Sequence, residues 1–283
     1  METVGVIGGG QMGSQIAALA AMAGYDTHVY DSNADNLKEK IKFTKDNLVN
    51  LIDKGRYEKS KLDNFKEHLQ TSDSVDETIS NKSFVIEAVV ERLDVKLEIF
   101  ENISKKLDEN VVLATNSSFI PASELAKSCE HPSRFINMHF FYPPIRMDLV
   151  EISYPEGTNN DTIERTQRLG KDMGRTVITC KKETPGFIVN RMLAALTDEA
   201  YQLYDEGIAD FKDIDTAIKK GLNHPLGPFE LSDYSGLDIH YYAKLKIFNE
   251  TQDPKDYPKD FLEEKVKKGE LGVKSGKGFY DYS

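Results

Sequence analysis

The first two thirds of the chain alternate between short apolar runs and small-residue or amphipathic stretches. The apolar runs predict strands at residues 4–7, 26–31, 83–88, 111–114, 135–140, 149–153 and 176–180. The stretches between them predict helices, among them 11–23, 95–107 and 161–173. Because strands and helices alternate, this pattern favours a parallel sheet with helices on its faces.

The period changes after Pro185-Gly186. Apolar residues then recur at helical spacing, which predicts helices at 187–206, 211–220, 228–250 and 259–268. We therefore expect an α/β, Rossmann-type, mostly parallel sheet in residues 1–184, with a helical-hairpin insertion at about 34–70. An all-helical domain is expected to follow at 185–283.

A glycine-rich turn follows the first predicted strand. Gly8, Gly10 and Gly13 fill the pattern G-x-G-x-x-G where that strand meets a helix. In this pattern the first glycine permits the tight turn, the second lets a pyrophosphate approach the backbone, and the third lets helix and strand pack closely. The residues expected to bind a dinucleotide here are Gly8, Gly10, Gln11, Met12 and Gly13.

An acid at the end of the second strand selects between the two nicotinamide dinucleotides. Asp31 lies 18 residues after Gly13, where a carboxylate can accept hydrogen bonds from the adenosine ribose. Ser32 and Asn33 follow, with no arginine to pair with a 2′-phosphate. The sequence therefore predicts NAD rather than NADP.

Composition narrows the class of partner. The 283 residues carry a net charge of -11, which argues against nucleic acid or an anionic membrane as the main partner. No apolar run is long enough to span a bilayer, and the first strand begins too early for a signal peptide. Cys129 and Cys180 are expected to be reduced thiols in a cytoplasmic protein, and no spacing indicates a metal site.

The segment 38–61 departs from this acidic balance. It holds eight basic residues against four acidic ones, and its apolar residues recur at helical spacing. A solvated helix face is the simpler interpretation. Asn47 and Lys54 lie seven residues apart on one face, however, and could grip a second phosphorylated ligand.

His139 is the histidine best placed for catalysis. It ends an apolar strand, and ligands of open parallel sheets bind beyond the carboxyl ends of the strands. Oxidation of a secondary alcohol needs a base for the hydroxyl proton, and imidazole titrates nearest neutral pH. Asp148 and Glu151 are the nearby carboxylates that could orient it.

The residues resemble the L-3-hydroxyacyl-CoA dehydrogenase family over essentially the whole chain, and most nearly its short bacterial 3-hydroxybutyryl-CoA type. The resemblance rests on the glycine turn and on segments 85–91, 116–118, 138–143, 149–152, 184–191, 224–231 and 274–280. Tyr142 stands where the family usually has an asparagine beside the nicotinamide. A phenol is bulkier than an amide and donates a single hydrogen bond.

The resemblance implies a role for each matching residue. It makes His139 the general acid/base and Glu151, rather than Asp148, its partner. Ser117 and Asn190 would bind the 3-oxygen of the substrate. Contacts to NAD are implied for Glu91, Lys96, Ser117, Tyr142 and Lys274, and contacts to CoA for Asn47 and Lys54. Glu87 has no such role and is interpreted as structural.

The implied activity is NAD-dependent, reversible oxidation of a short (S)-3-hydroxyacyl-CoA, in a homodimer formed through the helical domain. Two alternatives remain open. A related dehydrogenase of gulonate or carnitine would share the His/Glu pair, although it would not need a basic grip for CoA. A non-catalytic NAD-binding protein would retain the glycine turn without turnover.

Overall fold

A computed structural model describes residues 2–283, which divide after Ile188 into two compact units. The first unit holds all eight strands of the described chain: β1 (Thr3–Ile7), β2 (Asp26–Tyr30), β3 (Leu69–Thr71), β4 (Phe84–Glu87), β5 (Val112–Thr115), β6 (Phe135–Phe140), β7 (Leu149–Ser153) and β8 (Thr176–Thr179). Its helices are α1 (Gly13–Met22), α2 (Ala34–Asp53), α3 (Ser60–His68), α4 (Val75–Ile79), α5 (Leu93–Ser104), α6 (Ala122–Leu125) and α7 (Asn160–Asp172).

The strands form one sheet in the order β3-β2-β1-β4-β5-β6-β7-β8. Within residues 2–283 the pair β6–β7 is antiparallel, and all the other neighbouring pairs are parallel. The strand order reverses between β1 and β4, and such a switch point opens a crevice at the carboxyl ends of the strands. The predicted α/β, mostly parallel fold is confirmed.

Helix α1 lies in the interior of the first unit. Every one of its residues is buried, and it packs against β1, β2 and the hairpin of α2 and α3. A helix that is apolar on all sides requires such burial, and the small side chains of Ala17, Ala18 and Ala20 permit close packing. The insertion at 34–70 thus covers the helix that follows the glycine turn.

The second unit, Val189–Ser283, contains helices and short 3₁₀ turns. Its helices are α8 (Val189–Asp205), α9 (Phe211–Gly221), α10 (Pro228–Ser235), α11 (Leu237–Thr251) and α12 (Asp260–Lys267). Aromatic rings form much of its core, with Phe229 and Phe279 packed edge to face at 4.6 Å. Among residues 2–283, no helix has both the length and the apolar character needed to cross a membrane.

Two predicted helices differ from the structure. The single helix expected at 228–250 is broken at Gly236, whose φ of 101° is incompatible with a continuous helix. The helix expected from Gln11 begins at Gly13 instead, because Gly8–Met12 form the turn that precedes it. The pattern also missed β3 and α4, which are too short to show a period.

Candidate active site

The glycine turn leaves open space where a phosphate would have to approach. Gly8 has a φ of 96°, and a Cβ there would come within 2.7 Å of the Ala88 carbonyl group. A Cβ on Gly13 would overlap the Gly8 carbonyl oxygen, so the close contact of helix and strand requires glycine. A Cβ on Gly10 would have no atom within 4 Å. Together with the start of α1, this backbone fits a dinucleotide pyrophosphate.

Asp31 lies directly after β2, beside the same turn. Its Oδ1 accepts a hydrogen bond from the Asn33 backbone N–H at 2.9 Å, and Asn33 in turn caps α2. A Cβ on Gly9 would be 3.3 Å from the Asp31 Cβ, so the carboxylate is held next to the glycine turn. This position fits the ribose-binding acid of an NAD site.

His139 and Glu151 face each other on neighbouring strands. The antiparallel register pairs His139 of β6 with Glu151 of β7, so the two side chains lie on the same face of the sheet. His139 Nδ1 is 3.3 Å from Glu151 Oε2, and the two residues are 2% and 0% exposed. The imidazole also stacks on the Phe187 ring at 4.6 Å.

The surroundings of His139 favour the neutral imidazole. Burial lowers the pKa of His139 below its usual value, and the hydrogen bond and charge of Glu151 act in the opposite direction. When Nδ1–H donates to Glu151, Nε2 carries the lone pair. The imidazole is then a base aimed away from the carboxylate.

Ser118, rather than Ser117, reaches that second nitrogen. The Ser118 Oγ lies 3.1 Å from His139 Nε2. The Ser117 hydroxyl is buried and donates to Glu91 Oε1 at 2.6 Å, so it does not face the imidazole. The assignment of the substrate-oxygen contact to Ser117 therefore disagrees with the geometry. Nothing in the sequence separates two adjacent serines, because the conformation of the turn decides which hydroxyl faces the histidine.

Glu91 organises the turn that carries both serines. Its Oε1 also accepts hydrogen bonds from the backbone N–H groups of Ser118 at 3.0 Å and Phe119 at 2.9 Å. Burial raises the pKa of Glu91, but the hydrogen bonds from Ser117 and Phe119 and the charge of Lys96 outweigh it, so the pKa lies below its usual value. Glu91 is therefore a carboxylate at neutral pH.

Lys96 is buried, contrary to the solvated position that its charge alone would suggest. Its Nζ lies 2.6 Å from Glu87 Oε1 and 3.4 Å from Glu91 Oε2, and it is 1% exposed. Burial raises the pKa of Glu87, and the nearby Lys96 ammonium opposes that shift. Any effect of Lys96 on a cofactor would thus be exerted from beneath the Glu91 carboxylate.

Asn47 and Tyr142 line one cleft of about 220 Å³ together with Phe43 and Arg146. The Asn47 Oδ1 accepts a hydrogen bond from Arg146 Nη2 at 3.3 Å, and the Tyr142 ring is exposed. Lys54 lies directly after α2 and is exposed. Because seven residues, about two helical turns, separate it from Asn47, the two residues lie on the same side of the helix.

The last two predicted site residues lie in the second unit. Asn190 is in the first turn of α8. Lys274 is in a 3₁₀ turn, and its Nζ lies 2.5 Å from Asp238 Oδ1.

A dinucleotide turn at the switch point and a histidine paired with a carboxylate on the same sheet define the class of NAD-dependent dehydrogenases that act on alcohols. Comparison with known proteins agrees. The sequence model of the 3-hydroxyacyl-CoA dehydrogenase NAD-binding domain matches residues 3–184, and that of the C-terminal domain matches residues 186–282. The chain therefore belongs to the 3-hydroxyacyl-CoA dehydrogenase family and is an NAD-dependent oxidoreductase.

Individual relatives match over the full length of the chain. It is 37% identical to the mitochondrial hydroxyacyl-coenzyme A dehydrogenase of Sus scrofa, covering 100% of this chain and 91% of that protein. It is 34% identical to a probable 3-hydroxybutyryl-CoA dehydrogenase of Bacillus subtilis, covering 100% and 98%. The crystal structure of (S)-3-hydroxybutyryl-CoA dehydrogenase from Ralstonia eutropha superposes with a TM-score of 0.89 at 35% identity, covering 100% and 99%.

Proposed function

We propose that this dehydrogenase oxidises short-chain (S)-3-hydroxyacyl-CoA esters to 3-oxoacyl-CoA esters, reversibly, with His139 as the acid/base. The observation that carries the proposal is the buried imidazole held between Glu151 on one nitrogen and Ser118 on the other. Relatives from Bacillus subtilis and Ralstonia eutropha named for 3-hydroxybutyryl-CoA support a short acyl chain.

His139 Nε2 takes the proton of the 3-hydroxyl group as the C3–H bond breaks. NAD, when bound, supplies the acceptor for the hydride that leaves C3. Glu151 keeps the proton on Nδ1 and stabilises the imidazolium that forms. In the reverse direction the imidazolium returns its proton to the oxygen of the 3-oxo group.

We assign the contact to the substrate oxygen to Ser118, with Asn190 as the second group. Ser118 Oγ is already at hydrogen-bond distance from the nitrogen that must meet the same oxygen. Ser117 supports the site indirectly through its hydrogen bond to Glu91.

Cofactor contacts are proposed for the glycine turn, Asp31, Glu91, Tyr142 and Lys274. Lys96 would act through Glu91, because its ammonium group is buried beneath that carboxylate. CoA would lie along α2, where Asn47 and Lys54 share a face and the segment 38–61 is basic.

We further propose a cytoplasmic homodimer formed by the second unit. The dimer is supported by several large apolar side chains of that unit that are exposed, including Met192, Leu222 and Ile239. The cytoplasmic location is supported by both cysteines, which are free thiols. Sedimentation as a dimer at micromolar concentration is the expected result, and a monomer would contradict the assembly.

The activity is tested by following NADH oxidation with acetoacetyl-CoA, with free acetoacetate as the matched substrate that lacks CoA. The wild type should reduce the CoA ester, and His139→Ala should lower kcat by about 10²- to 10⁴-fold. NADH binding, followed by fluorescence, should stay within about threefold because His139 is placed at the substrate oxygen.

Turnover of acetoacetate at the rate of the ester would instead favour a dehydrogenase of a free hydroxy acid. NADH binding with no turnover of either compound would favour a non-catalytic NAD-binding protein.

A further inference from the structure

A second carboxylate, Glu87, is buried beneath the active site without touching the place where substrate would bind. It is the last residue of β4 and is 0% exposed. Burying a carboxylate costs free energy, and replacing a buried ion pair by apolar residues is often neutral or stabilising. The contacts of Glu87 must therefore account for it, and only one of them, the Val89 backbone N–H that donates to Oε1 at 2.7 Å, is to the chain directly after β4.

One oxygen of Glu87 is linked through Lys96 and Glu91 to the turn at residues 117–119. Glu87 Oε1 accepts a hydrogen bond from Lys96 Nζ at 2.6 Å, and the same ammonium lies 3.4 Å from Glu91 Oε2. Glu91 Oε1 holds the backbone N–H groups of Ser118 and Phe119. This route fixes the turn through its own backbone donors.

The other oxygen of Glu87 is linked to the same turn through Thr115. Glu87 Oε2 accepts a hydrogen bond from Thr115 Oγ1 at 2.7 Å. Thr115 Oγ1 in turn accepts the Ser117 backbone N–H at 3.1 Å. The two oxygens of one buried carboxylate thus hold the turn from its beginning and from its middle.

We infer that Glu87 is a positioning residue, whose two hydrogen-bonded routes fix the backbone of Ser117–Phe119 so that the Ser118 hydroxyl meets His139 Nε2. The inference rests on the proposed function, because it assigns the Ser118 hydroxyl to the substrate oxygen. Glu87 itself contacts neither the imidazole nor the reacting atoms. Its effect is transmitted through Lys96, Glu91 and Thr115.

Glu87→Gln keeps the size of the side chain but removes its charge and replaces one acceptor by a donor. With acetoacetyl-CoA and NADH, we expect kcat to fall by about tenfold or more, because a misplaced catalytic group is costly. The KM for acetoacetyl-CoA should change by less than about threefold, since no substrate contact is removed. Asp215→Asn, at an equally buried carboxylate of the second unit, is the matched control and should leave kcat unchanged.

The decisive measurement repeats Glu87→Gln in a Ser118→Ala background. If Glu87 acts by placing the Ser118 hydroxyl, its effect on kcat should shrink to within about twofold once that hydroxyl is gone. A full effect in the Ser118→Ala background, or an unchanged kcat in Glu87→Gln alone, would overturn the inference. In either of these cases the proposed function stands if the wild type turns over acetoacetyl-CoA and Ser118→Ala is defective. A wild type without turnover would overturn both the inference and the proposed function.

Thr115 supplies a second variant in case Glu87→Gln does not fold. Thr115→Val removes the hydroxyl that links Glu87 to Ser117, and Thr115→Ser keeps it. We expect Thr115→Val to lower kcat, Thr115→Ser to restore it, and the difference to vanish in the Ser118→Ala background. Equal kcat values for the two variants would contradict the inference.

Discussion

Buried carboxylates occur in both units of the chain, but their partners differ. Asp215 in the second unit accepts hydrogen bonds from the backbone N–H groups of Phe229 and Glu230 and from the Tyr280 hydroxyl. Glu151 in the first unit faces His139, a side chain that can take up and release a proton in the reaction. Burial alone therefore does not identify a catalytic acid.

The kind of partner makes the difference. Backbone N–H groups do not titrate, and burial together with the Asp215 hydrogen bond raises the pKa of Tyr280, so Asp215 fastens the start of α10 and Tyr280 to α9. A carboxylate opposite an imidazole changes the charge and basicity of that ring. The comparison predicts that removing each carboxylate affects a different measurement.

The largest effect is expected at Glu151. Glu151→Gln should lower kcat for oxidation by about hundredfold, because the imidazolium formed in the reaction loses its stabilising charge. The free energy of unfolding should change less than in Asp215→Ala, because glutamine keeps an oxygen for the Ile188 backbone N–H that donates to Glu151 Oε1 at 3.1 Å. A kcat within threefold of the wild type would remove the distinction between the two carboxylates.

The pH dependence of the same variant sharpens this test. Oxidation needs neutral His139, so kcat/KM is retained above the pKa of His139 and is lost as the pH falls through it. Burial places that pKa below the usual value, and Glu151 raises it. In Glu151→Gln the acid limb of the profile should therefore move to lower pH, and a shift to higher pH would contradict the assignment.

Asp215→Ala should show the opposite behaviour. Three donors lose their acceptor in a buried place, so we expect the free energy of unfolding to fall by about 3 kcal/mol. Denaturant unfolding measures this loss, and kcat measured well below the melting temperature should match the wild type. A large loss of kcat with unchanged stability would show that the second carboxylate also serves the reaction.

The smallest effect is expected at Tyr142, which belongs to neither carboxylate site. Tyr142→Asn restores the residue that the family usually has and removes an exposed ring from the cleft beside Asn47. We expect the KM for NADH or for acetoacetyl-CoA to change by about threefold, the scale of one aromatic contact, with kcat maintained. Tyr142→Phe is the control that separates the hydroxyl from the ring.

Most of the sheet could be predicted from the sequence, because most of its strands are apolar runs that are long enough to be recognised. The first and last residues of β6 and β7 were predicted correctly, and with them the neighbourhood of His139 and Glu151. Gly236 shows what the pattern cannot contain. The break lies in the backbone angle of one residue, a φ of 101°, which the spacing of apolar residues does not record.

The chemistry of the site was predictable as residue types and less so as contacts. From the sequence, a lysine within a helix is expected to be exposed to solvent. No neighbouring residue in the sequence indicates that Lys96 is buried against Glu87. Ser117 and Ser118 are identical in type and adjacent, so the turn held by Glu91 decides which one meets the imidazole.

The antiparallel strand pair β6–β7 has a consequence for redesign. Its register holds His139 opposite Glu151 by main-chain bonds, while the connection from Phe141 to Asp148 carries Tyr142 and Arg146 to the cleft beside α2. The acid/base pair and the residues that line the cleft therefore lie in consecutive pieces of chain, which meet where the Phe141 ring packs on the His139 imidazole at 4.7 Å. We expect exchange of residues 142–147 between relatives to change what the cleft accepts, while the β6–β7 register keeps His139 opposite Glu151.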